Sequence, residues 1–152
     1  MTQCDRTSRN EAGHSLIELA IVLACAAIMI AMAVPSISHL QKEWTLWGSA
    51  RSVENALQWG RMHAIASNAP ILFEVGEDGC RFGWVDPETG AAYTDSSRFL
   101  ASGIRITSSP KRSLRFYPQG NAAPAGSYVI EGDTGSYSVI VAPGGRIRFQ
   151  KN

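Results

Sequence analysis

The chain has 152 residues with a formal net charge of +1, and 18% of its residues are charged. This length fits one domain. A net charge this close to zero argues against a polyanionic partner that binds the whole surface, but it is compatible with a local basic patch. Cys4, Cys25 and Cys80 are too scattered for a disulfide framework. No Cys/His cluster has the spacing of a metal site, so no cofactor is expected.

The N-terminal part combines a short polar leader with an apolar run. The leader ends at Gly13, and residues 19–34 carry no charged side chain. Continued to Leu40, the run is long enough to cross a hydrocarbon core of ~30 Å. Glu18 lies at its start, where an ionisable group is costly unless it is paired. The alternative is an ordinary secretory signal cut near Ala33, but such a signal has no need of Glu18.

Residues 36–68 predict a helix that is amphipathic in its later part and is ended by Pro70. Apolar residues form a stripe along this helix. Glu54 lies off the stripe, and Arg61 lies toward its edge. Either this stretch continues the apolar run as one helix, or two helices are broken at Pro35, because an interior proline removes a hydrogen bond. The stripe recurs at spacings of three and four, which indicates one helical face. Its residues are Leu46, Ala50, Val53, Leu57, Gly60 and Ala64.

After Pro70 the pattern predicts an antiparallel sheet. Short apolar or alternating runs are separated by glycine-rich turns, which is typical of strands joined by hairpins. The turn at 132–135 predicts a hairpin, and residues 118–127 predict a loop. The predicted strands are 71–75, 81–85, 104–107, 114–117, 128–130, 137–141 and 146–149.

The leader, the glycine and the apolar helix with one early glutamate resemble the N-terminus of type IV pilins and type II secretion pseudopilins. The resemblance implies that a prepilin peptidase cuts between Gly13 and His14 and that the new His14 amine is methylated. Glu18 would then be the fifth residue of the mature chain. His14 departs from the usual phenylalanine. Pro35 stands where many pilins bend this helix.

The remaining residues resemble the GspH/FimT family of these proteins. The resemblance implies an α+β, pilin-like fold in which a long N-terminal helix, membrane-spanning in its first half, packs on an antiparallel β-sheet. The segments that carry it are residues 50–68, residues 70–73, Gly83-Trp84, residues 116–120 and the closing Gly145-Arg146-Ile147-Arg148.

The same resemblance divides the chain into three parts. Residues 1–13 would be a cleaved prepilin leader, residues 14–40 the transmembrane and assembly half of the helix, and residues 41–152 a periplasmic globular domain. The chain would sit in the bacterial inner membrane as a single-pass protein before it joins a filament. Its implied partners are a prepilin peptidase, other pilins or pseudopilins, the filament assembly machinery and the inner membrane.

The implied role is structural: a minor pilin or pseudopilin subunit of a type IV pilus or of a type II secretion pseudopilus. The N-terminal motif does not separate these two systems. No serine-hydrolase elbow or phosphate-binding loop is present, so the chain is predicted not to be an enzyme.

Glu18 has two interpretations. In a filament, the N-terminal amine of one subunit would neutralise the carboxylate of a neighbour. Such a pair would select one axial register, because any other register leaves a buried charge unpaired. Alternatively, Glu18 lies at headgroup depth, where the dipole of the first helical turn favours a carboxylate.

Basic residues near the C-terminus suggest a second function. In a strand, the alternation of residues 146–149 would put both arginines on one face and both apolar residues on the other. Such a cluster binds phosphates, and it resembles the Gly-Arg-x-Arg tail of FimT-type minor pilins that capture DNA. The alternative is a charged edge strand of a secretion scaffold that binds no nucleic acid. The candidate DNA contacts are Arg146, Arg148, Lys151, Lys111 and Arg112.

The four tryptophans fall into two pairs. Trp44 and Trp47 would lie either at a membrane interface or against the sheet. Trp59 and Trp84 are predicted to be core residues.

Overall fold

The structure, a computed structural model, describes residues 16–93 and 97–152, without the side chains of residues 33–37. The chain has two compact units, Met1–Ser38 and His39–Asn152. In the described ranges, a helix, α1 (Leu16–Ser67), precedes nine strands. The strands are β1 (Ile71–Val75), β2 (Arg81–Val85), β3 (Arg98–Phe99), β4 (Arg105–Ser108), β5 (Leu114–Phe116), β6 (Ala122–Ala123), β7 (Gly126–Gly132), β8 (Gly135–Val141) and β9 (Ile147–Lys151).

The first unit consists, in its described part, of the beginning of α1. Large apolar side chains are exposed along this segment, from Leu16 at 86% to Met32 at 75%. Pro35 lies inside α1, so the expectation of one long helix is confirmed and the alternative of two helices is wrong. Among the described residues, no helix has both the length and the apolar character needed to cross a membrane.

The second unit buries one face of α1. All six residues of the predicted stripe are buried, so this face is confirmed. Glu54 is also buried, at 7% exposure, although it lies off the stripe. Its carboxylate accepts hydrogen bonds from Arg51 at 2.6 Å and from Gln58 at 3.3 Å, which offsets the cost of its burial. Asn68 follows the helix with a φ of 50°, the left-handed conformation that ends many helices.

The strands form two antiparallel sheets, not the single sheet predicted. One sheet has the order β3-β2-β1-β5-β6 and the other has the order β4-β7-β8-β9. The alternation of a strand shows which of its faces is buried, but it does not show which strands are neighbours. The sequence pattern therefore could not distinguish one sheet from two.

The bounds of β1 and β2 match their predictions, and the β7–β8 hairpin closes at the predicted turn, with Gly132 opposite Gly135. The loop predicted at 118–127 is wrong, because it contains β6, which pairs with β5, and the first residues of β7. β3 was not predicted. β3 and β6 each have two residues, which is too short for a periodic pattern to show.

Aromatic rings from both sheets meet beneath α1. The ring centroid of Phe73 lies 4.8 Å from that of Trp84 and 5.3 Å from that of Tyr128. Trp84 is 2% exposed, as predicted for a core residue. A Cβ added at Gly60 would overlap the Trp84 ring, so the glycine lets α1 approach this ring closely. Trp59 is 46% exposed, and its prediction as a core residue is wrong.

Candidate assembly and nucleic-acid surfaces

Glu18 lies in the first turn of α1 and is exposed. Exposed apolar side chains follow it, among them Leu19, Ile21 and Val22. The helix dipole favours a carboxylate at this position. Gly13 and His14, the predicted processing junction, lie outside the described residues. A carboxylate beside an exposed apolar surface can pair with a cation that a neighbouring chain brings to the same surface.

β9 presents its side chains as the alternation predicted. Arg148 is exposed, and its backbone lies opposite Ile140 of β8 in the sheet. Ile147 and Phe149 are partly buried on the opposite face. Arg146 precedes the strand and is exposed as well. Neither arginine takes part in the ion pairs found between described residues. Both guanidinium groups are therefore available to an anion.

Lys151 is on the other face of β9. Its Nζ donates a hydrogen bond to Glu43 Oε1 at 2.8 Å, which ties the last strand to α1. This hydrogen bond lowers the pKa of Glu43 and raises the pKa of Lys151. The Lys151 ammonium also lies 5.9 Å from the centre of the Tyr137 ring. Lys151 is thus engaged within the domain and is not grouped with the arginines.

Lys111 and Arg112 lie in the connection from β4 to β5 and are exposed. They line a cavity of about 380 Å³ together with Pro110 and Gly126. β4 and β9 are the opposite edges of the four-stranded sheet. With neighbouring strands ~4.8 Å apart, the two edges are separated by roughly 14 Å. The structure therefore divides the predicted basic residues into separate groups.

Arg61, which sequence reasoning did not assign to a site, lies beside the arginine tail. Its Nε donates a hydrogen bond to the carbonyl oxygen of Gly120 at 3.0 Å. Gly120 and Gly145 have φ values of 81° and 74°, which favour glycine. A Cβ at Gly145 would overlap the Gly120 carbonyl and would lie 2.9 Å from Arg61 Nε. Two glycine turns thus hold this guanidinium group, and both lie in segments that carried the family resemblance.

Arg61 and Arg146 line the same cleft. The cleft has a volume of about 310 Å³ and is completed by Gln58, Met62 and Ile147. It lies between α1 and the turn that leads into β9. Arg61 lies in the last two turns of α1, far from Arg146 in the sequence, so the sequence gave no sign that the two arginines line one cleft.

An aromatic groove lies on another part of the domain. Leu40, Glu43, Trp44, Trp47 and Tyr137 line about 420 Å³ beside α1. Trp44 is 67% exposed and Trp47 40% exposed, and their rings meet edge to face with centroids 6.0 Å apart. The two tryptophans therefore adjoin the four-stranded sheet at Tyr137 and remain accessible from outside.

Among the residues that the structure describes, no three His, Cys, Asp or Glu side chains are grouped to hold a metal ion. Cys25 and Cys80 are free thiols.

Solved structures share this fold. The type IV minor pilin FimU of Pseudomonas aeruginosa superimposes with a TM-score of 0.62 at 19% identity, covering 73% of this chain and 92% of FimU. The minor pseudopilin EpsH from the type II secretion system of Vibrio cholerae gives a TM-score of 0.57 at 16% identity, covering 68% of this chain and 94% of EpsH. No functionally curated protein matches the sequence.

Two family models match the sequence itself. Residues 8–34 match the prokaryotic N-terminal methylation motif. Residues 49–145 match the family described as Type II transport protein GspH. The second match takes in more than half of the chain, and the pilin-like fold agrees with it. The chain therefore belongs to the GspH family of minor pilins and pseudopilins.

Proposed function

We propose that this chain is a structural subunit which residues 14–40 anchor in the bacterial inner membrane, with residues 41–152 in the periplasm, until it is incorporated into a filament. The observation that carries the proposal is the N-terminal methylation motif at residues 8–34. The exposed apolar side chains along residues 16–32 support it, because an apolar surface of this extent requires lipid or another apolar chain to cover it.

Processing is the first step of the proposed function. A prepilin peptidase cuts between Gly13 and His14 and the new amine is methylated. Glu18 then lies within reach of the methylated amine of a neighbouring subunit, and their pairing fixes the register of assembly. Filament machinery and other pilins or pseudopilins are the partners of this step.

Intact-mass analysis of the chain purified from membranes tests this proposal. We expect the loss of residues 1–13 and the gain of one methyl group on His14. Gly13→Leu should block cleavage, because the bulky side chain hinders the approach of the leader to the peptidase. Gly48→Ala, on the exposed face of α1, is the matched control and should be processed normally. A mature N-terminus near Ala33 would show an ordinary signal peptide instead.

Nucleic-acid binding by the arginine tail is a second candidate function. It is favoured by the exposure of Arg146 and Arg148 on one face of the β9 segment and by their lack of ion pairs among the described residues. It would suit a type IV pilus that takes up DNA. If the chain does not bind nucleic acid, the alternative is a scaffold subunit of a type II secretion pseudopilus.

Fluorescence anisotropy with a labelled DNA duplex tests the second candidate. The full chain in nonionic detergent should bind weakly and with little sequence preference. Replacing Arg146 and Arg148 by Ala should reduce the log–log salt slope by about 1.8, because each phosphate contact contributes about 0.9. If the unmodified chain shows no binding at low salt, the nucleic-acid candidate is wrong and the scaffold function remains.

A further inference from the structure

The cations of the domain differ in whether they have an acidic partner. Lys42 pairs with Asp133 at 3.0 Å, Arg51 with Glu54 at 2.6 Å, and Lys151 with Glu43 at 2.8 Å. Among the described ion pairs, none involves the three arginines at the cleft and on the tail. These three are Arg61, Arg146 and Arg148. Other described arginines also have no ion pair, but they are spread over β2, β3, β4, β5 and the β4–β5 connection. What distinguishes Arg61, Arg146 and Arg148 is that they lie together at the start of β9, where Arg61 and Arg146 line one cleft.

Arg61 is held in place before any ligand arrives. Its Nε hydrogen bond to the Gly120 carbonyl fixes one edge of the guanidinium plane, and the turns at Gly120 and Gly145 border it. A guanidinium group carries five N–H donors, so the remaining edge can still donate to an oxyanion. Because its fork is planar and already oriented, Arg61 loses little conformational freedom when it binds.

Two guanidinium groups that line one small cleft repel each other. An anion between them removes this repulsion and accepts hydrogen bonds from both, as charge-assisted pairs between arginine and phosphate do. Gln58, Met62 and Ile147 complete the lining of the cleft. The Gln58 amide donates one N–H to Glu54, and its second N–H is a further donor beside the two arginines. This arrangement fits one singly charged, tetrahedral oxyanion group.

We propose that the cleft between Arg61 and Arg146 binds one phosphodiester group of a nucleic-acid backbone. This inference rests on the nucleic-acid candidate function. Arg148 favours a polymer over a lone anion, because it continues from Arg146 on the same exposed face about 7 Å away, two strand residues on. The cleft thus seats one phosphate, and Arg148 contacts another.

The test measures salt-dependent binding of a labelled DNA duplex to the full chain in nonionic detergent. Arg61→Gln should weaken binding about three- to tenfold and reduce the log–log salt slope by about 0.9, the value of one phosphate contact. Arg98→Gln is the matched control, because Arg98 is exposed on β3 at the opposite edge of the five-stranded sheet from β6. It removes the same charge and should leave affinity and slope nearly unchanged.

Double variants show whether Arg61 and Arg146 share one phosphate. Arg61→Gln with Arg146→Gln should reduce the slope by about 0.9 in total, because a single contact is lost. Arg61→Gln with Arg148→Gln should reduce it by about 1.8, because two contacts are lost. Arg146→Gln alone breaks no ion pair among the residues that the structure describes, so it tests the cleft even if the loss of the Gly120 hydrogen bond impairs folding of the Arg61 variant.

The outcomes separate this inference from the function on which it rests. If the unmodified chain binds DNA and Arg61→Gln behaves like Arg98→Gln, the cleft is not a phosphate site, although nucleic-acid binding stands. A fall of about 1.8 in both double variants would show that Arg61 and Arg146 make independent contacts and would overturn the shared phosphate. If the unmodified chain does not bind, the nucleic-acid candidate and the cleft fail together, while processing and filament assembly remain unaffected.

Discussion

Arg148 and Lys151 are three positions apart at the end of β9 and have opposite surroundings. Arg148 faces outward with no ion pair in the described part of the chain, whereas Lys151 is bonded to Glu43 across a sequence separation of 108 residues. The side-chain period of a strand decides this difference. The period is visible in the sequence, although Lys151 was grouped with the two arginines as a candidate DNA contact. The partner Glu43 is not visible there, because only the fold brings α1 and β9 together.

The Glu43–Lys151 pair predicts a pH dependence of stability. The pKa of Glu43 is lowered below its ordinary value of 4.5, so its contribution is present above that pH and is lost as the pH falls through the lowered pKa. The pKa of Lys151 is raised above 10.5, so its contribution is present below that pH and is lost as the pH rises through the raised pKa.

Lys151→Gln should therefore lower the urea midpoint slightly at neutral pH and should have no effect near pH 2. The effect is small because the pair is exposed to solvent. Lys111→Gln, which removes an exposed lysine without an ion pair in the described structure, is the control. An unchanged difference between Lys151→Gln and the unmodified chain at low pH would show that Lys151 acts through packing and not through Glu43.

Glu18 predicts a separation between membrane insertion and assembly. Glu18→Ala removes a carboxylate that is costly in lipid, so the amount of chain in the membrane should stay the same or rise. Incorporation into filaments should fall, because the pair that fixes the register is lost. Glu77→Ala, on an exposed turn of the domain, is the matched control. Sheared filaments and membranes are compared by immunoblot, and normal incorporation of the Glu18 variant would reduce Glu18 to a headgroup contact.

Among the elements, α1 shows how two glycines in one helix have different roles. Gly48 is exposed, and a Cβ added there would meet no atom within 4 Å. Gly60 is buried, and a Cβ added there would overlap the ring of Trp84. The sequence placed Gly60 on the apolar stripe but gave no reason for a glycine. The reason is the large ring that packs against it from β2.

Alanine substitutions at these two glycines should change stability in opposite directions. Gly48→Ala should stabilise the domain by about 0.5–1 kcal/mol, because alanine has the higher helix propensity. Gly60→Ala gains the same propensity but overpacks the core against Trp84, which costs about 1–3 kcal/mol, so the net effect should be destabilising. Urea unfolding of both variants measures whether each substitution raises or lowers the free energy of unfolding. A stabilised Gly60→Ala would show that the ring moves aside at little cost.

The sheets show which part of an element a sequence can predict. β1, β2 and the β7–β8 hairpin were predicted because each has a local signal: an apolar run or a glycine-rich turn. β3 and β6 were not, because two-residue strands exist only through their neighbours. The burial of Glu54 was missed for a similar reason, since the helical period marks only the centre of the buried face.

For the whole molecule, the family and the fold could be predicted because their signals are contiguous. The methylation motif occupies one segment, and the helical stripe and the strand turns follow in order. The cleft at Arg61 has no contiguous signal in the sequence. It is assembled from α1, the turn at Gly120 and the turn at Gly145, so its members are far apart in the chain. Fold-level similarity persists at 19% identity to FimU, which shows that packing, not residue identity, is retained.

Three of the four tryptophans lie near the surface of the domain: Trp44, Trp47 and Trp59 are 67%, 40% and 46% exposed, and Trp84 is 2% exposed. Intrinsic fluorescence of the folded chain is consequently dominated by indoles in contact with water. A neighbour that covers the aromatic groove would shift this emission toward the blue and shield it from soluble quenchers. Unfolding would instead expose Trp84 and shift the emission toward the red. Tryptophan emission therefore distinguishes docking from unfolding without an added label, because the two events shift its wavelength in opposite directions.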